Sequence, residues 1–252
     1  MISVAIVTPS IGAKTLQKTV ESIKKQTHTN IVHHIFVDGK ENLNKVESIL
    51  ADSNTNKYTS VNVIQENIGK GWYGHRVYAA CSFLVNQDCI IYLDEDNWLE
   101  PDHVETMVER IEEGNDWAYS LRKIYKRDET YFCDDNCESL GKWPTYFDEN
   151  TYHIDTSCFI VRRDVAVSVG HSWYGQWGAD RQFFSAVSRY FPNFACSNRH
   201  TLCYRLGGNE GSVTENFFIN GNKMQLEKYG SEEEYPWLKK EYTIGPGISI
   251  KV

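Results

Sequence analysis

The sequence predicts an α/β fold with a doubly wound, mostly parallel central sheet and helices on both faces. Short apolar runs rich in β-branched residues alternate with segments of helical period through the first half of the chain, with short loops between them. This alternation is typical of βαβ units, whose strands are buried by helices. The run that begins at Cys89 is apolar through Leu93 and then ends abruptly in the acidic triplet 94–96. Strands of such sheets deliver polar residues to the ligand-binding crevice at their carboxyl ends.

Strand and helix signals alternate regularly in the first half. Strands are expected at residues 4–7, 35–37, 61–64 and 89–93. Helices are expected at residues 14–25, 43–50, 77–85 and 104–111, because apolar residues recur there three and four positions apart. Pro101 suits the first turn of the last of these helices, and Gly114 suits its end.

The second half of the chain is less regular. Strands are predicted at 117–121 and 157–161, on either side of an aromatic, loop-rich stretch at 131–152, and a helix is predicted to begin near Asp180. Beyond Gly207 the chain is polar and weakly patterned. We find no repeat, low-complexity segment or linker, and therefore predict one domain over residues 1–252 with an elaborated second half.

Composition restricts the functional class. The chain has 252 residues and a formal net charge of −8, which argues against nucleic-acid binding through a basic surface. The N-terminal segment lacks the features of a signal peptide, and no window is long and apolar enough for a transmembrane span. The seven cysteines are scattered along the chain, which favours free thiols over a disulfide framework. They also lack the spacing of cysteine ligands in structural zinc sites. We expect a cytoplasmic protein without structural zinc.

The acidic triplet predicts a divalent cation site. Asp94 and Asp96 are two residues apart at a strand end, where carboxylate oxygens suit Mg²⁺ or Mn²⁺ held together with substrate phosphates. An acidic protein needs such a metal, or a local group of donors, to bind an anionic phosphate. The alternative is a loop of solvated acids that caps the following helix, since short acidic triplets are common by chance.

Five motifs occur in a characteristic order along the chain. They are VAIVTPSIG at 4–12, FVDG at 36–39, NIGKG at 67–71 with Arg76, LDED at 93–96 and WGAD at 177–180. This order resembles that of the GT-A glycosyltransferases, in particular the large inverting family 2, over roughly the first 205 residues. A Rossmann dinucleotide site is not favoured, because G-x-G-x-x-G does not follow the first strand. The resemblance implies a nucleotide-binding half at 1–114, an acceptor and catalytic half at 115–206, and a C-terminal extension at 207–252.

The resemblance implies roles for several residues around the donor nucleotide. Thr8 and Pro9 would lie against the nucleobase, and Asp38 would accept a hydrogen bond from the base, commonly uracil. Gly39 stands where the family often has a second aspartate. Arg76 would contact the nucleotide through its guanidinium, with an ordinary helix-surface arginine as the alternative.

Roles in metal binding and catalysis follow from the same resemblance. Asp96 would ligate the metal, Asp94 would face the ribose or a metal-bound water, and Glu95, within the same donor-binding triplet, would point aside. The cation would stabilise the charge that develops on the diphosphate leaving group. Asp180 would be the catalytic base that removes the acceptor hydroxyl proton, a contribution of typically ~10²–10⁴ in rate. Asp180 is also a candidate N-cap of the following helix, and both roles can hold together.

The acceptor side of the cleft is predicted less specifically. Asp155 matches a segment that lines the donor sugar and acceptor, where it would hold a sugar hydroxyl, with a strand-start turn residue as the alternative. Trp173, Tyr174 and Trp177 are candidate platforms for sugar rings, although most large aromatic residues belong to a core. His200 lies where some GT-A enzymes supply a third metal ligand, and a structural histidine is the alternative.

The sequence therefore predicts a metal-dependent inverting glycosyltransferase that uses a UDP-linked sugar and a glycan or lipid-linked acceptor. Family members of this kind usually work near the membrane, but no basic amphipathic anchor is visible. A sugar nucleotidyltransferase is the first alternative, and it would need a glycine-rich, basic loop after the first strand. A catalytically degenerate nucleotide-sugar or glycan-binding module is the second, motivated by Gly39 and by Ala179, where the family usually has glutamate.

Overall fold

The structure is a computed structural model that describes residues 1–53, 59–208 and 213–239, and the backbone of two short strands near the C-terminus. The strands are β1 (Val4–Ser10), β2 (Ile31–Asp38), β3 (Thr59–Ile64), β4 (Cys89–Tyr92), β5 (Trp98–Leu99), β6 (Trp117–Tyr125), β7 (Tyr131–Asp134), β8 (Phe159–Arg162), β9 (Phe194–Arg205), β10 (Glu241–Thr243) and β11 (Ser249–Lys251). The helices are α1 (Leu16–Lys24), α2 (Leu43–Asp52), α3 (His75–Cys81), α4 (His103–Glu112), α5 (Arg163–Val169), α6 (Ala179–Tyr190) and α7 (Glu215–Tyr229).

One large sheet joins the strands β1 to β9. Its order is β3–β2–β1–β4–β8–β6–β9–β5, with β7 paired to β6. The pairs β1–β2, β1–β4, β2–β3 and β6–β9 are parallel, whereas β8, β5 and β7 run antiparallel to their neighbours. The strands β1, β2, β3, β4, β6 and β9 therefore run in one direction, which confirms the prediction of a mostly parallel sheet.

Helices cover both faces of this sheet, as β2 illustrates. Ile35 and Val37 pack in one apolar cluster with residues of α1 and α2. Phe36, between them, belongs to the larger core that includes residues of α3 and α4. Because successive side chains of a strand point to opposite faces, α1 and α2 lie on one face and α3 on the other. The α/β prediction is thereby confirmed. None of the helices in the described part of the chain is both long and apolar enough to span a membrane.

Several elements, among them β9 and α7, were not predicted from the sequence. The helix α3 ends at Cys81, whereas the predicted helix extended to residue 85. The strand β9 escaped detection because polar residues interrupt its buried pattern and its register with β6 shifts twice. The helix α7 buries Phe218, Gly221 and Gln225, so it has no apolar stripe of helical period. Both elements are held by tertiary contacts that local pattern does not reveal.

We expect the protein to lose stability in mild acid because two buried histidines must stay neutral. Burial, with a smaller contribution from His34, lowers the pKa of His33 to about 3, and burial lowers the pKa of His103 to about 4. In the unfolded chain both imidazoles bind a proton near pH 6.5. Their contribution to stability is therefore complete above about pH 6.5 and is lost as the pH falls toward the folded-state pKa values.

The measurement is urea unfolding at about pH 7 and about pH 5, where His33 alone should account for a loss of about 2 kcal/mol in the free energy of unfolding. His33→Gln should show a smaller loss between the two pH values than the parent protein. His171→Gln is the control, since His171 is exposed. Equal pH dependence in all three proteins would contradict this explanation.

Candidate functional site

A cleft of about 780 Å³ lies where β1, β2 and β4 end. Pro9, Asp38 and Asp96 line it from the first half of the chain. Asp155 and Asp180 line it from the second half. The cleft therefore brings together predicted site residues that are far apart in sequence. The carboxyl ends of parallel strands meet at one edge of a sheet, which explains why the first three are neighbours.

Asp38 holds the glycine-rich loop that follows β3. Its Oδ1 accepts a hydrogen bond of 2.7 Å from the N–H of Ile68, and its Oδ2 accepts one of 2.7 Å from the N–H of Gly69. A Cβ atom on Gly69 would lie 2.2 Å from Asp38 Oδ2, so only glycine allows this approach. Asp38 thus fixes this loop as a wall of the cleft. Each of its two carboxylate oxygens keeps a further lone pair that can accept another hydrogen bond.

Two residues assigned to the nucleotide lie elsewhere. Thr8 is fully buried and its Oγ1 is 3.0 Å from His33 Nε2 on β2, whereas Pro9 lines the cleft. Alternation along β1 explains the difference, because adjacent side chains point to opposite faces. Arg76 packs on Trp72, 3.9 Å from the ring centroid, and is not among the residues that line the cleft. The predicted contact of Thr8 with the nucleotide is therefore corrected. The guanidinium of Arg76 donates to the carbonyl of Ile68, in the loop that Asp38 holds, and its contact with the nucleotide stays a prediction.

The acidic triplet is anchored on both sides. Asp94 Oδ1 accepts a hydrogen bond of 2.8 Å from the hydroxyl of Tyr78, and Oδ2 accepts one of 3.3 Å from Ser157 Oγ. Glu95 turns toward the loop after β1, where it accepts a hydrogen bond of 2.6 Å from Ser10 Oγ. All three residues of the triplet line the cleft, and the carboxylate of Glu95 is the one turned toward the loop after β1.

The electrostatics of Asp94 and Asp96 fit a bound cation. Burial raises the pKa of Asp94, and the charges of Asp96 and Asp155 raise it further. Burial and the charge of Glu95 raise the pKa of Asp96. Among the described residues no three His, Cys, Asp or Glu side chains form a complete set of metal ligands. Two hard oxygen donors with excess negative charge fit Mg²⁺ or Mn²⁺ whose other ligands are waters and phosphate oxygens.

His200 is not placed to complete this site. It lies on β9 opposite Leu121 of β6, and its Nδ1 is 3.6 Å from Asp134 Oδ2. His200 is not among the residues that line the cleft. The expectation of a third metal ligand is therefore corrected, because the register of β9 directs this side chain toward β7.

A buried arginine that the sequence reasoning did not identify organises the second half of the site. Arg122 on β6 donates hydrogen bonds from Nε to Asp135, from Nη1 to Asp155 and from Nη2 to Glu138, at 2.8, 2.7 and 2.5 Å. Asp155 also accepts a hydrogen bond from the N–H of Ser157 and so caps a short 3-10 turn. An arginine within a largely apolar strand was a usable signal, since a buried charge requires partners.

Asp180 lies in the first turn of α6 and lines the cleft. The N-cap is Gly178, at φ +86°, so the predicted capping role of Asp180 is corrected. Its Oδ1 accepts a hydrogen bond of 2.8 Å from the N–H of Arg181, and its Oδ2 is 3.7 Å from His153 Nε2. The position suits a base that faces the cleft.

The predicted aromatic platforms separate into core and surface. Trp173 is fully buried and stacks on Phe183 with ring centroids 4.4 Å apart, so its assignment as an acceptor platform is corrected. Trp177 is 66% exposed and lines the cleft, whereas Tyr174 is exposed but lies outside the lining. Tyr73, which was not predicted, is 44% exposed and also lines the cleft. The exposed aromatic faces of the cleft are therefore Tyr73 and Trp177.

Comparisons with known proteins agree with this architecture. The model of the family Glycosyl transferase family 2 matches residues 3–169. Crystal structures of S. aureus TarS 1–349 with UDP-GlcNAc and with UDP superpose with TM-scores of 0.62 and 0.60. Each is 12% identical and covers 94% of this chain, and the matched parts are 71% and 70% of those chains. An uncharacterized protein of Haemophilus influenzae is 34% identical over 112 residues, which are 37% of this chain and 74% of that protein. The predicted GT-A-type fold is confirmed.

Proposed function

The chain belongs to glycosyl transferase family 2, and on this premise we propose that it transfers a sugar from a UDP-linked donor to a glycan or lipid-linked saccharide. One observation supports the proposal above the others. Asp38, the pair Asp94 and Asp96, and Asp180 all line a single cleft. A base-binding carboxylate, a cation site and a catalytic base are the three parts that such a transfer needs.

The donor occupies the side of the cleft formed by the first half of the chain. The remaining lone pairs of Asp38 accept a hydrogen bond from the imide N–H of uracil, and Pro9 contacts the base. The UDP and UDP-GlcNAc complexes of TarS support a uridine nucleotide. Asp94 and Asp96 would hold Mg²⁺ or Mn²⁺ beside the diphosphate. When bound, the cation neutralises negative charge on the leaving group.

The acceptor occupies the side that carries Asp180 and Trp177. The acceptor oxygen attacks the anomeric carbon from the face opposite the diphosphate, so the configuration inverts. As the new carbon–oxygen bond forms, the bond to the phosphate oxygen breaks and its electron pair leaves with UDP. The hydroxyl proton passes to Asp180, whose carboxylate faces the cleft. The exposed ring of Trp177 provides a flat apolar face for a sugar of the acceptor.

The structure gives no support to a sugar nucleotidyltransferase. Such an enzyme would use backbone N–H groups of the loop after β1 to hold a triphosphate. Here Glu95 accepts hydrogen bonds of 3.2 Å from the N–H groups of both Ile11 and Ala13. A carboxylate in that position occupies the donors and repels phosphate.

The seven scattered cysteines support a location in the cytoplasm, where thiols stay reduced.

We expect UDP and Mn²⁺ together to raise the melting temperature more than the sum of their separate effects. A ligand at about 100 times its dissociation constant stabilises the folded state by roughly 2.7 kcal/mol. Asp96→Asn should abolish the metal-dependent part of the shift, because it removes a charged oxygen ligand. The measurement is a thermal-shift titration with UDP, with and without Mn²⁺ and with EDTA.

Asp52→Asn is the matched control, since Asp52 is exposed on α2 outside the cleft. The metal site would be refuted if UDP raised the melting temperature equally with Mn²⁺, with EDTA and in Asp96→Asn. The protein would be a degenerate binding module if it bound UDP and metal but released no UDP from any UDP-sugar in the presence of glycan acceptors.

A further inference from the structure

We propose that His153 is a positioning residue for Asp180: its imidazole donates from Nε2 to the carboxylate and holds it in the orientation that receives the acceptor proton. This inference rests on the proposed role of Asp180 as the base. His153 was not among the residues predicted from the sequence, and the comparisons with known proteins assign it no role.

The surroundings of His153 single out Asp180 as its partner. The side chain is 4% exposed and lines the cleft, and its Nε2 is 3.7 Å from Asp180 Oδ2. Its Nδ1 is buried and has no hydrogen-bond partner within the described part of the chain. A neutral imidazole has one N–H, and placing it on Nε2 directs the donor at a carboxylate and leaves only an acceptor unpaired. The tautomer protonated on Nε2 is therefore favoured.

The backbone around His153 is fixed, so the ring is held in place. The carbonyl of His153 accepts a hydrogen bond of 2.9 Å from the N–H of Gly141. Two residues further on, Asp155 is bound by Arg122. The separation of 3.7 Å is longer than a hydrogen bond, but contacts of catalytic groups commonly shorten when substrate binds. A small rotation of either side chain would close it.

Once closed, the contact would give each oxygen of Asp180 a separate donor. Oδ1 accepts from the N–H of Arg181, and Oδ2 faces His153. With both oxygens oriented in this way, the carboxylate plane would be set and free lone pairs would point into the cleft. The proton from the acceptor hydroxyl is received there while the imidazole keeps its own proton. Ionisable residues of the second half that line the same cleft include Arg122, Glu138, Asp155, Arg181 and Tyr204, and His75 of α3 lines it from the first half.

An NMR measurement tests the contact without any substrate. The full-length protein is labelled with ¹⁵N, and the spectrum of His153→Gln assigns the imidazole signals of His153. In the neutral ring the ¹⁵N shifts report which nitrogen carries the proton, and Asp180→Asn should reduce the fraction of His153 protonated on Nε2, because it removes the carboxylate that accepts from this N–H. The signals of the exposed His171 should be the same in both proteins. An unchanged tautomer of His153 in Asp180→Asn would overturn the proposal.

A kinetic experiment tests the consequence, with UDP release from UDP-GlcNAc as the probe. His153→Phe keeps a planar ring but removes the donor, and should lower kcat by roughly 10²-fold without changing KM for UDP-GlcNAc. His153→Gln retains an N–H near the position of Nε2 and should recover most of kcat. Wild-type kcat in His153→Phe would refute the proposal, and so would an equal loss in both variants. If the wild-type protein released no UDP, the proposed function would be at fault, and the NMR measurement of the His153 tautomer would still decide the contact.

Discussion

Asp180→Asn should reduce the rate of sugar transfer by about 10²–10⁴-fold and leave UDP binding unchanged. An amide has nearly the shape of a carboxylate and can still accept the hydrogen bond from the N–H of Arg181. It cannot accept the proton of the acceptor hydroxyl, so the bond-forming step loses its base. The nucleotide is proposed to bind at the ends of β1, β2 and β4, whereas Asp180 belongs to α6. Binding and turnover should therefore separate.

The experiment compares kcat for transfer with the dissociation constant of UDP in the presence of Mn²⁺. Asp164→Asn is the matched control, because Asp164 is an exposed aspartate in the first turn of α5. It reports the effect of losing a negative charge at a helix N-terminus, which is worth about 0.3–1 kcal/mol in stability. Near-normal turnover in Asp180→Asn would show that another group, or solvent, removes the proton.

Arg122→Met is expected to cost about 3–5 kcal/mol in the free energy of unfolding. Arg122 is 2% exposed and pairs with Asp135 and Glu138 of the turn after β7 and with Asp155 shortly before β8. Removing it leaves carboxylates buried without their counter-ion, and their repulsion then opposes folding. Asp135 is fully buried, and the N–H groups of three residues after it donate to its carboxylate, so the turn that follows β7 depends on this network.

Urea unfolding of Arg122→Met measures this loss, with Arg189→Met as the control. Arg189 is an exposed arginine of α6, and its replacement should change stability by less than about 0.5 kcal/mol. Asp135→Asn introduced into Arg122→Met should recover part of the loss, because it removes one of the repelling charges. A loss below about 1 kcal/mol in the free energy of unfolding would contradict this prediction. It would mean that water or the remaining hydrogen-bond donors replace Arg122 as partners of the carboxylates.

The first half of the chain was predictable because its central strands β1 and β4 are short, apolar and buried. The strand at Cys89 and the helices at 43–50 and 104–111 were recognised from local pattern alone, and all are present. The resemblance to family 2 grouped Pro9, Asp38, Asp96 and Asp180, and all four line the cleft. The first three are neighbours because β1, β2 and β4 end at the same edge of the sheet.

The errors have one origin, which is that local pattern does not reveal where a side chain points. Thr8 and Pro9 are adjacent, yet one bonds to His33 inside the sheet and the other lines the cleft. Trp173 and Trp177 are four residues apart, yet one is core and the other is 66% exposed. For His200 the sequence left a metal ligand and a structural histidine as alternatives, and the side chain faces Asp134.

The sequence by itself determined the α/β class, the glycosyltransferase family and the acidic strand end, because these follow from hydrophobic period and from short motifs within single elements. Only the tertiary structure decided the pairing of Arg122 with three carboxylates and the approach of His153 to Asp180. These contacts join segments separated by 13 to 33 residues. Their geometry depends on how β6, α6 and the loop before β8 pack together, and on the free-energy cost of leaving a buried charge without a partner.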